Sequence, residues 1–323
     1  MNRTSFRGAL VPGVAALVLT LAACGGGDAG AESGSDAEGS AVSGSVAVDG
    51  SSTVYPMSNT AAELLSEENS DIEVSVGFSG TGGGFEKFCA GQTDISDASR
   101  PIKADEEVPV CEENSIDYTE LLVATDALTV VVHPDTEVDC ITSEQVVELF
   151  GPKSKVTNWQ DLDPSFPDQE IAGFIPGTDS GTYDYMAADV VGDESEALRE
   201  DFEVSEDDNI LVQGVAGTEG SVGFFGFTYF EENADKVKAL SIDDGQGCVA
   251  PSAETAQAGE YTPLARPLFI YVGNKAYAEN PAVAAYVDFY IENLPAIAEA
   301  AQYIPLNDED YASTQETLAG ING

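Results

Sequence analysis

The chain has 323 residues, of which 43% are hydrophobic and 22% charged, so it is long enough for two ordinary domains with buried cores and is not disordered overall. Its 12 basic residues stand against 58 acidic ones, a formal net charge of −46. This balance argues against binding to nucleic acid or adhesion to anionic lipid, since both need a basic surface, and we interpret the acidity as a means of staying soluble.

The first 24 residues have the pattern of an export signal. Arg3 and Arg7 form a short basic start, and an apolar run from Ala9 to Ala23 follows that is too short for a stable membrane span. The four residues Leu21-Ala22-Ala23-Cys24 resemble a bacterial lipobox. This predicts a lipoprotein signal over residues 1–24, with Cys24 carrying lipid at the start of the mature chain. The alternative is an ordinary cleaved signal with a chance cysteine.

Residues 25–44 are predicted to form a flexible linker. They consist of Gly, Ser, Ala, Asp and Glu with almost no apolar side chain, so they cannot pack a core. By the square-root rule for flexible chains, twenty such residues span about 25 Å. That length would let a domain stand above a membrane while it stays attached. Order is expected to begin near Ser45, where apolar alternation starts.

Strands alternate with helices from Ser45 onward. Apolar patterns predict strands over residues 45–48, 72–78, 94–95, 121–133, 171–175, 220–227 and 268–272, and helices over 56–67, 85–90, 143–150, 183–191, 281–293, 296–302 and 311–321. Ser143 is expected to cap the helix 143–150. The run 121–133 is either a buried strand pair or one long strand that crosses between lobes. The recurrence of strand, loop and helix indicates an α/β fold with ligands at the loops after the strands.

Cysteine usage agrees with export. Besides Cys24, the chain has Cys89, Cys111, Cys140 and Cys248, and no C-x-x-C or Cys/His cluster of metal-binding spacing. Four cysteines outside the cytosol indicate two disulfides, with three possible pairings. We favour Cys89–Cys111, which closes a short loop, and Cys140–Cys248, which ties the two ends of one lobe. The alternative is four buried free thiols.

Three Ser/Thr/Gly loops, each between a predicted strand and a predicted helix, carry the chemistry. They are Ser51-Ser52-Thr53, Ser79-Gly80-Thr81-Gly82-Gly83-Gly84 and Asp179-Ser180-Gly181-Thr182. Backbone N–H groups at a helix start attract anions, and hydroxyl side chains add donors. Each loop alone is explained as plain helix capping. Together they favour a shared anion site, and none is a P-loop or a nucleophile elbow.

These segments, with others further along the chain, resemble the PstS-type phosphate-binding proteins of phosphate ABC importers, in the periplasmic-binding-protein superfamily. The resemblance covers the chain from about Val46 to the C-terminus. It rests on several motifs in the right order: Asp49-Gly50-Ser51-Ser52-Thr53-Val54-Tyr55-Pro56, Ser79–Gly84, Asp94–Ile102, Pro176–Thr182, Ser205–Asn209 with Gln213-Gly214-Val215, and Arg266–Tyr271.

The resemblance implies a two-lobed α/β fold of periplasmic-binding-protein type II. In that fold the sheets are mixed, helices cover both faces, the chain crosses twice between the lobes, and the ligand lies in the cleft. We assign residues 45–125 and 262–323 to lobe 1 and residues 126–261 to lobe 2.

When the family's motif positions are matched residue by residue to this chain, the resemblance also implies a phosphate site. Its residues are Ser52, Thr53, Ser79, Thr81, Ser99 and Arg100 from lobe 1, and Asp179, Ser180, Gly181 and Thr182 from lobe 2. Many relatives have an arginine shortly before the Asp-Ser-Gly-Thr segment, where Thr178 stands here, and Arg100 is the expected substitute. The alternative for Arg100 is an ion pair with a carboxylate. Arg266 is assigned to the crossover or the lobe interface, outside the site.

Selectivity needs a hydrogen-bond acceptor in the cleft. Hydrogen phosphate carries a proton and sulfate does not, so a carboxylate there would accept from phosphate and repel sulfate. Asp179 and Asp97 are the candidates. The alternative for either is a carboxylate that caps or braces a loop.

The predicted function is an exported, lipid-anchored receptor that captures inorganic phosphate on the outer face of the cell membrane. It would deliver phosphate, as a monomer, to the permease and ATPase subunits of an ABC importer. No cofactor, metal or nucleic acid is implied, and no catalysis. Two alternatives stay open: a receptor for another oxyanion such as sulfate or molybdate, and an extracytoplasmic phosphatase, which would lack an evident base and metal.

Overall fold

The computed structural model describes residues 42–178, 180–192 and 197–321. The predicted signal over residues 1–24, the lipid attachment at Cys24, most of the predicted linker and the candidate acceptor Asp179 lie outside the described residues. The first strand begins at Gly44, one residue before the expected onset of order.

Twelve strands form two sheets in the described part of the chain. In chain order they are β1 Gly44–Gly50, β2 Ile72–Val76, β3 Ile95–Ala98, β4 Tyr118–Val132, β5 Cys140–Thr142, β6 Ala172–Pro176, β7 Glu203–Ser205, β8 Ser221–Gly226, β9 Lys238–Ala239, β10 Ser241–Asp243, β11 Cys248–Val249 and β12 Ala265–Gly273.

Helices separate most of these strands. In chain order they are α1 Tyr55–Glu68, α2 Gly80–Cys89, α3 Val108–Glu113, α4 Ser143–Phe150, α5 Trp159–Leu162, α6 Gly181–Asp184, α7 Asp208–Gly217, α8 Phe227–Glu232, α9 Ala253–Gln257, α10 Asn274–Glu279, α11 Pro281–Glu292, α12 Leu294–Ala300 and α13 Asp308–Gly320. A π-helical segment, Tyr185–Val191, continues α6. No helix among the described residues has the length and apolar character to cross a bilayer.

Strands β4 and β12 join two lobes through one large mixed sheet. Its order is β2-β1-β3-β12-β4-β8-β6-β7, and β9 pairs with β4. The first part of β4, up to Ala127, pairs antiparallel with β12, and its last part, Leu128–Val132, pairs with β8. Residues 121–132 therefore belong to one long strand that runs from the first lobe into the second, which is the second of the two alternatives predicted from the apolar run.

The first lobe is built around β1. This strand pairs in parallel with β2 on one side and β3 on the other, and β12 adds an antiparallel neighbour to β3. Helices α1, α11 and α12 bury their apolar residues with these strands in one core, where Met57, Tyr286 and Tyr290 are fully buried. Helices α2 and α3 contribute to a smaller core that includes Phe85 and Tyr271. The lobe thus has helices on both faces of its sheet.

The second lobe is built around β8, β6 and β7. Strand β6 pairs in parallel with both neighbours, so the loops that follow β6 and β7 leave the same edge of the sheet. Helix α4 and the π-helical segment cover one face, and α7 covers the other. A small sheet of order β11-β10-β5 completes the lobe.

Each lobe contains one disulfide. Cys89 at the end of α2 is bonded to Cys111 in α3, and Cys140 in β5 is bonded to Cys248 in β11. This is the pairing favoured from the sequence. The first bond closes a loop of 22 residues and the second a loop of 108 residues.

The start of α2 and the cap of α4 differ from their predictions. Helix α2 begins at Gly80, five residues before the predicted start, so the predicted glycine loop forms the first turns of the helix. Gly84 lets this helix lie against the end of β1, because a Cβ there would come within 2.5 Å of Gly50 Cα. Thr142, not Ser143, caps α4, because the Thr142 side chain accepts from the Gln145 N–H while the Gln145 side chain accepts from the Thr142 N–H.

Strand β3 also differs, since it continues through Ala98 where an exit loop was predicted from Ser96. It lies between β1 and β12 and pairs with both, and these hydrogen bonds keep Ser96 and Asp97 extended. Helices α3, α5, α7, α8, α9 and α10 were not predicted.

Candidate functional site

A cavity of about 300 Å³ lies between the lobes, and both lobes and the returning strand β12 line it. The lining residues of the first lobe come from three segments far apart in sequence. The full set is Ser51, Ser52, Thr53, Gly80, Thr81, Gly82, Ser99 and Arg100 from the first lobe, Asp184, Tyr185, Ala188 and Asp189 from the second lobe, and Arg266 from β12. We refer to it as the anion cavity.

The first loop, between β1 and α1, is fixed by its own hydrogen bonds. The Ser51 N–H donates to the Asp97 carbonyl at 2.9 Å, and the Thr53 N–H donates to Ser51 Oγ at 3.2 Å. The Tyr303 hydroxyl donates to the Thr53 carbonyl at 2.7 Å. The loop is therefore held in place by hydrogen bonds within the protein, and it brings the predicted donors Ser52 and Thr53 to the cavity.

The first turn of α2 supplies backbone donors. Gly80, Thr81 and Gly82 line the cavity, and N–H groups at a helix start have no partner within the helix. Gly80 has φ +81°, a left-handed conformation that favours glycine. Thr81 Oγ1 lies 3.1 Å from Ser99 Oγ and accepts from the Ser99 N–H at 3.2 Å, so the predicted donors Thr81 and Ser99 meet here.

Ser79 has a different role from the other predicted donors and does not line the anion cavity. Its hydroxyl and its N–H both donate to Asp49, which also accepts from Lys87 Nζ at 2.6 Å. Burial opposes ionisation of Asp49, but these hydrogen bonds outweigh it and lower the pKa of the carboxyl group. Ser79 thus ties the start of α2 to β1.

Arg100 lines the cavity while it is held by a carboxylate. Its two terminal nitrogens donate to the two carboxylate oxygens of Glu107 at 3.0 and 2.7 Å, which is a bidentate pair. The hydrogen bond with Glu107 raises the pKa of Arg100. Burial opposes ionisation of Glu107, but the hydrogen bonds from Arg100 and the Lys103 N–H lower its pKa. The predicted ligand contact and the alternative ion pair therefore involve the same guanidinium.

Arg266, which the sequence assigned to the crossover or the lobe interface, lines the cavity as well. Its guanidinium donates to Thr53 Oγ1 at 2.7 Å, to Asp126 at 3.3 Å and to Asp189 at 2.5 Å. It also lies 3.6 Å from the centre of the Tyr185 ring. The Arg266 side chain is only 10% exposed. One side chain therefore connects the first loop, both crossing strands and the second lobe.

Two carboxylates, Asp126 and Asp189, pair with this arginine, and Asp184 lines the same cavity. Burial raises the pKa of Asp126, and the nearby Arg266 charge offsets part of that increase. Asp184 and Asp189 line the cavity from the second lobe together with Tyr185 and Ala188, and this spacing places all four on one face of the helix that follows Ser180. The cavity therefore contains hydrogen-bond acceptors as well as donors.

The loop Ser180-Gly181-Thr182 faces the first loop across the cleft. A Cβ on Gly181 would lie 3.7 Å from Thr53 Cα, so the backbones of the two lobes approach closely here. Ser180 caps α6 by accepting from the Thr182 N–H at 3.2 Å. Gly181 and Thr182 line a second cavity of about 490 Å³, which shares Ser52 and Asp184 with the anion cavity.

Asp97, a predicted acceptor, is buried beneath the first loop and does not line the cavity. Its Oδ1 accepts from Ser58 Oγ at 2.9 Å, and its Oδ2 has no partner. Burial, with a smaller effect from the charge of Asp49, raises its pKa to about 8 against the effect of the Ser58 hydrogen bond. Asp97 is therefore part of the core of the first lobe.

Sequence reasoning missed Arg266, Asp184 and Asp189. A signal for Arg266 was present, because an arginine in an apolar strand needs a partner and Asp126 interrupts the apolar run of β4. The two residues are direct partners in the β4–β12 pairing. The signal for the two aspartates was their helical spacing after the Ser-Gly-Thr loop.

The arrangement suits a small tetrahedral oxyanion. Hydroxyl groups, helix-start N–H groups and two guanidinium groups can donate to its oxygens, and Asp184 and Asp189 can accept from a proton on the anion. Among the described residues, no cluster of His, Cys, Asp and Glu side chains could hold a metal ion.

Comparisons with known proteins agree with this arrangement. A family model described as a PBP superfamily domain matches residues 35–293. A relative named Protein SphX, from Synechococcus elongatus, is 46% identical over 282 residues, which cover 86% of this chain and 82% of that protein. A relative named Phosphate-binding protein PstS, from Staphylococcus saprophyticus, is 39% identical over 307 residues, which cover 94% of this chain and 92% of that protein.

One solved structure is similar in both sequence and fold. It is described as a possible phosphate binding protein from Planctomyces limnophilus and is 40% identical to this chain, with a TM-score of 0.83. The match covers 87% of this chain and 100% of that one.

Proposed function

Since this chain belongs to the PBP superfamily and, within it, to the family of the PstS phosphate-binding proteins, we propose that it captures inorganic phosphate between its lobes and delivers it to an ABC importer. The observation that carries this proposal is the anion cavity, where donor segments of the first lobe, the Arg266 guanidinium of the returning strand and two carboxylates of the second lobe meet. Uptake needs no chemistry on the ligand, so the protein acts as a receptor rather than an enzyme.

In the proposed complex, the first lobe supplies most of the donors. Ser52, Thr53, Thr81 and Ser99 donate through hydroxyl or backbone N–H groups, and Arg100 adds a guanidinium fork that Glu107 holds in position. Ser79 acts indirectly, by fixing the start of α2 through Asp49. Arg266 joins this set, because its guanidinium lies on the cavity wall between both lobes.

The second lobe closes the site. Ser180, Gly181 and Thr182 approach the first loop, and Asp179 lies in the same segment by sequence. A phosphate ion that contacts both lobes favours the closed arrangement, and opening of the cleft at the importer releases the ion. We take residues 45–125 with 262–323 as lobe 1 and residues 126–261 as lobe 2, which places this hinge at the two crossing strands.

The N-terminal sequence supports an extracytoplasmic location. Residues 1–24 direct export, Cys24 carries the lipid that anchors the protein to the outer face of the cell membrane, and residues 25–44 form the tether. Attached in this way, the receptor works as a monomer near the permease and ATPase subunits of its importer. The two disulfides fit an oxidising location.

Calorimetric titration of the purified protein with phosphate tests the function. We expect saturable binding of one phosphate per chain and weaker binding by Arg100→Ala, by roughly tenfold or more, because a hydrogen bond to a charged group contributes about 1.5–3 kcal/mol. Lys275→Ala is the matched control, since this lysine is exposed and lies outside the cavity. The absence of phosphate binding by the wild-type protein would refute the proposal.

Asp189 is the acceptor that we propose for the proton of hydrogen phosphate. Its Oδ2 pairs with Arg266, and no described residue is bonded to its Oδ1, so that oxygen is available at the cavity. A sulfate ion has no proton to donate and would face a negative charge at this position.

We therefore expect Asp189→Asn to reduce the preference for phosphate over sulfate by about ten- to a hundredfold, as judged by competition titrations at neutral pH. Asp235→Asn is the matched control, because it removes one exposed acidic group of the second lobe away from the cavity. An unchanged phosphate-to-sulfate ratio in Asp189→Asn would show that the acceptor is a different group.

A further inference from the structure

The second cavity has a different character from the anion cavity beside it. It measures about 490 Å³ and shares Ser52 and Asp184 with its neighbour, and the Ser52 hydroxyl donates to Asp184 at 3.5 Å. Its remaining wall includes the rings of Tyr55, Phe78 and Tyr303. The anion cavity thus meets the second cavity, which we call the aromatic compartment, at the Ser52–Asp184 pair.

Phe78 is the most unusual member of this wall. It follows β2 and is 65% exposed, the largest exposed fraction among the large exposed hydrophobic residues of the described chain. Its ring packs edge-on against Tyr55, with 5.0 Å between the ring centres. An exposed aromatic ring does not gain the favourable free energy of burying its apolar surface. A ligand that covers the ring would supply that free energy.

By its volume, inorganic phosphate can lie wholly within the anion cavity. Its five heavy atoms occupy about the space of two to three water molecules, or about 80 Å³ at roughly 30 Å³ per water. The anion cavity alone exceeds that volume severalfold. The aromatic compartment therefore has room for a group attached to the phosphate.

We propose that the protein also binds phosphate monoesters with a flat apolar substituent, with the phosphoryl group in the anion cavity and the substituent against Phe78 and Tyr55. This extends the ligand class of the proposed phosphate site and rests on that function. The ester oxygen lies near the Ser52–Asp184 pair, where the two cavities meet. Both ligand classes compete for the same phosphoryl donors.

The protonation of the ester determines the conditions of the test. Asp184 and Asp189 face the phosphoryl oxygens, and Arg100 and Arg266 are the cations on the same wall. A monoester that keeps one proton can donate to a carboxylate as hydrogen phosphate does, whereas the dianion cannot. The second pKa of a phosphate monoester is about 6, so the titrations are set at pH 5.5.

The experiment compares phenyl phosphate with methyl phosphate, which has the same phosphoryl group and no ring, each by displacement of bound phosphate. We expect the wild-type protein to bind phenyl phosphate about fivefold more tightly, in line with about 0.5–1.5 kcal/mol for an aromatic pair. Phe78→Ala should bring this ratio close to one and leave the affinity for phosphate within about twofold. Val204→Ala, which truncates an exposed apolar side chain on strand β7, is the matched control.

The outcomes are distinguishable. Equal affinities for the two esters in the wild-type protein, or a ratio that Phe78→Ala leaves unchanged, would overturn this inference and leave the phosphate site intact. Loss of phosphate binding itself would instead refute the function on which the inference rests.

Discussion

Replacing Arg266 by glutamine is expected to weaken phosphate binding by about a hundredfold or more. The Arg266 guanidinium lies in a mostly buried wall of the anion cavity, and its planar fork can donate to two oxygens of the ion. Removal of one partner from a buried, hydrogen-bonded charge pair costs about 2–5 kcal/mol of binding free energy. The dissociation constant from calorimetric titration measures the effect.

The same substitution leaves the Asp126 carboxylate buried without its partner, which itself costs about 3–5 kcal/mol of folding stability. The double variant Asp126→Asn with Arg266→Gln removes the uncompensated charge and should recover much of the lost stability without recovering phosphate affinity. Arg266→Lys keeps the charge without the fork and should fall between wild type and glutamine. If the folded double variant binds phosphate as the wild type does, Arg266 serves only the fold.

The position of Arg266 also bears on how so acidic a protein holds an anion. Charges beyond about 8 Å are screened at physiological salt, so the distant carboxylates count little once the ion is inside the cleft. Within the cleft, each guanidinium is already paired, Arg100 with Glu107 and Arg266 with Asp126 and Asp189. These pairs fix the forks in place, and neutral hydroxyl and N–H donors supply the rest of the binding.

Local sequence patterns were sufficient to predict most of the segments that build the site. The loops around Ser52, Thr81 and Thr182 each follow a strand and precede or begin a helix, and such loops collect at one edge of an α/β sheet. Turn-forming residues and apolar periodicity are encoded over a few residues, so these segments could be identified from the sequence without knowledge of the fold. The family resemblance then gave their common ligand.

Non-local pairing accounts for what the sequence did not reveal. The contact between Arg266 and Asp126 joins residues 140 positions apart, and it depends on the register of β12 against β4. The start of α2 at Gly80 was missed because four of its first five residues are glycine, which disfavours a helix. Here the close approach of Gly84 to Gly50 requires glycine in the helix. The sequence left two roles open for Asp97, and the structure shows the structural one: its carboxyl group faces Ser58 in the core, although Ser99, two residues further on, lines the cavity.

Asp97 leads to the second large effect, which concerns stability rather than binding. Its side chain is fully buried, accepts one hydrogen bond from Ser58 and has a pKa of about 8 in the folded protein, against about 3.9 in an unfolded chain. Between these two values the folded state binds more protons than the unfolded state. The carboxyl group therefore lowers stability progressively as pH rises from about 4 to about 8, and adds no further loss above that.

Asp97→Asn is expected to become increasingly more stable than the wild type over that pH range. The slope is at most about 1.4 kcal/mol for each pH unit, which sets an upper bound of roughly 5 kcal/mol at pH 8. At pH 4 the amide has no such advantage, and its buried N–H groups cost about 1–3 kcal/mol if they find no acceptor. The stability curves of variant and wild type should therefore cross as pH rises. Denaturant unfolding at several pH values between 4 and 9 measures both curves.

Asp105→Asn is the control for this effect, because it removes one negative charge from an exposed position. It should shift stability by little at any pH. Phosphate affinity of Asp97→Asn should stay within about twofold of the wild type, because the substituted side chain faces the core and the Asp97 carbonyl still accepts from Ser51. A stability difference between Asp97→Asn and the wild type that does not change with pH would mean that Asp97 is ionised in the folded protein, and that a cation or a hydrogen bond compensates its charge.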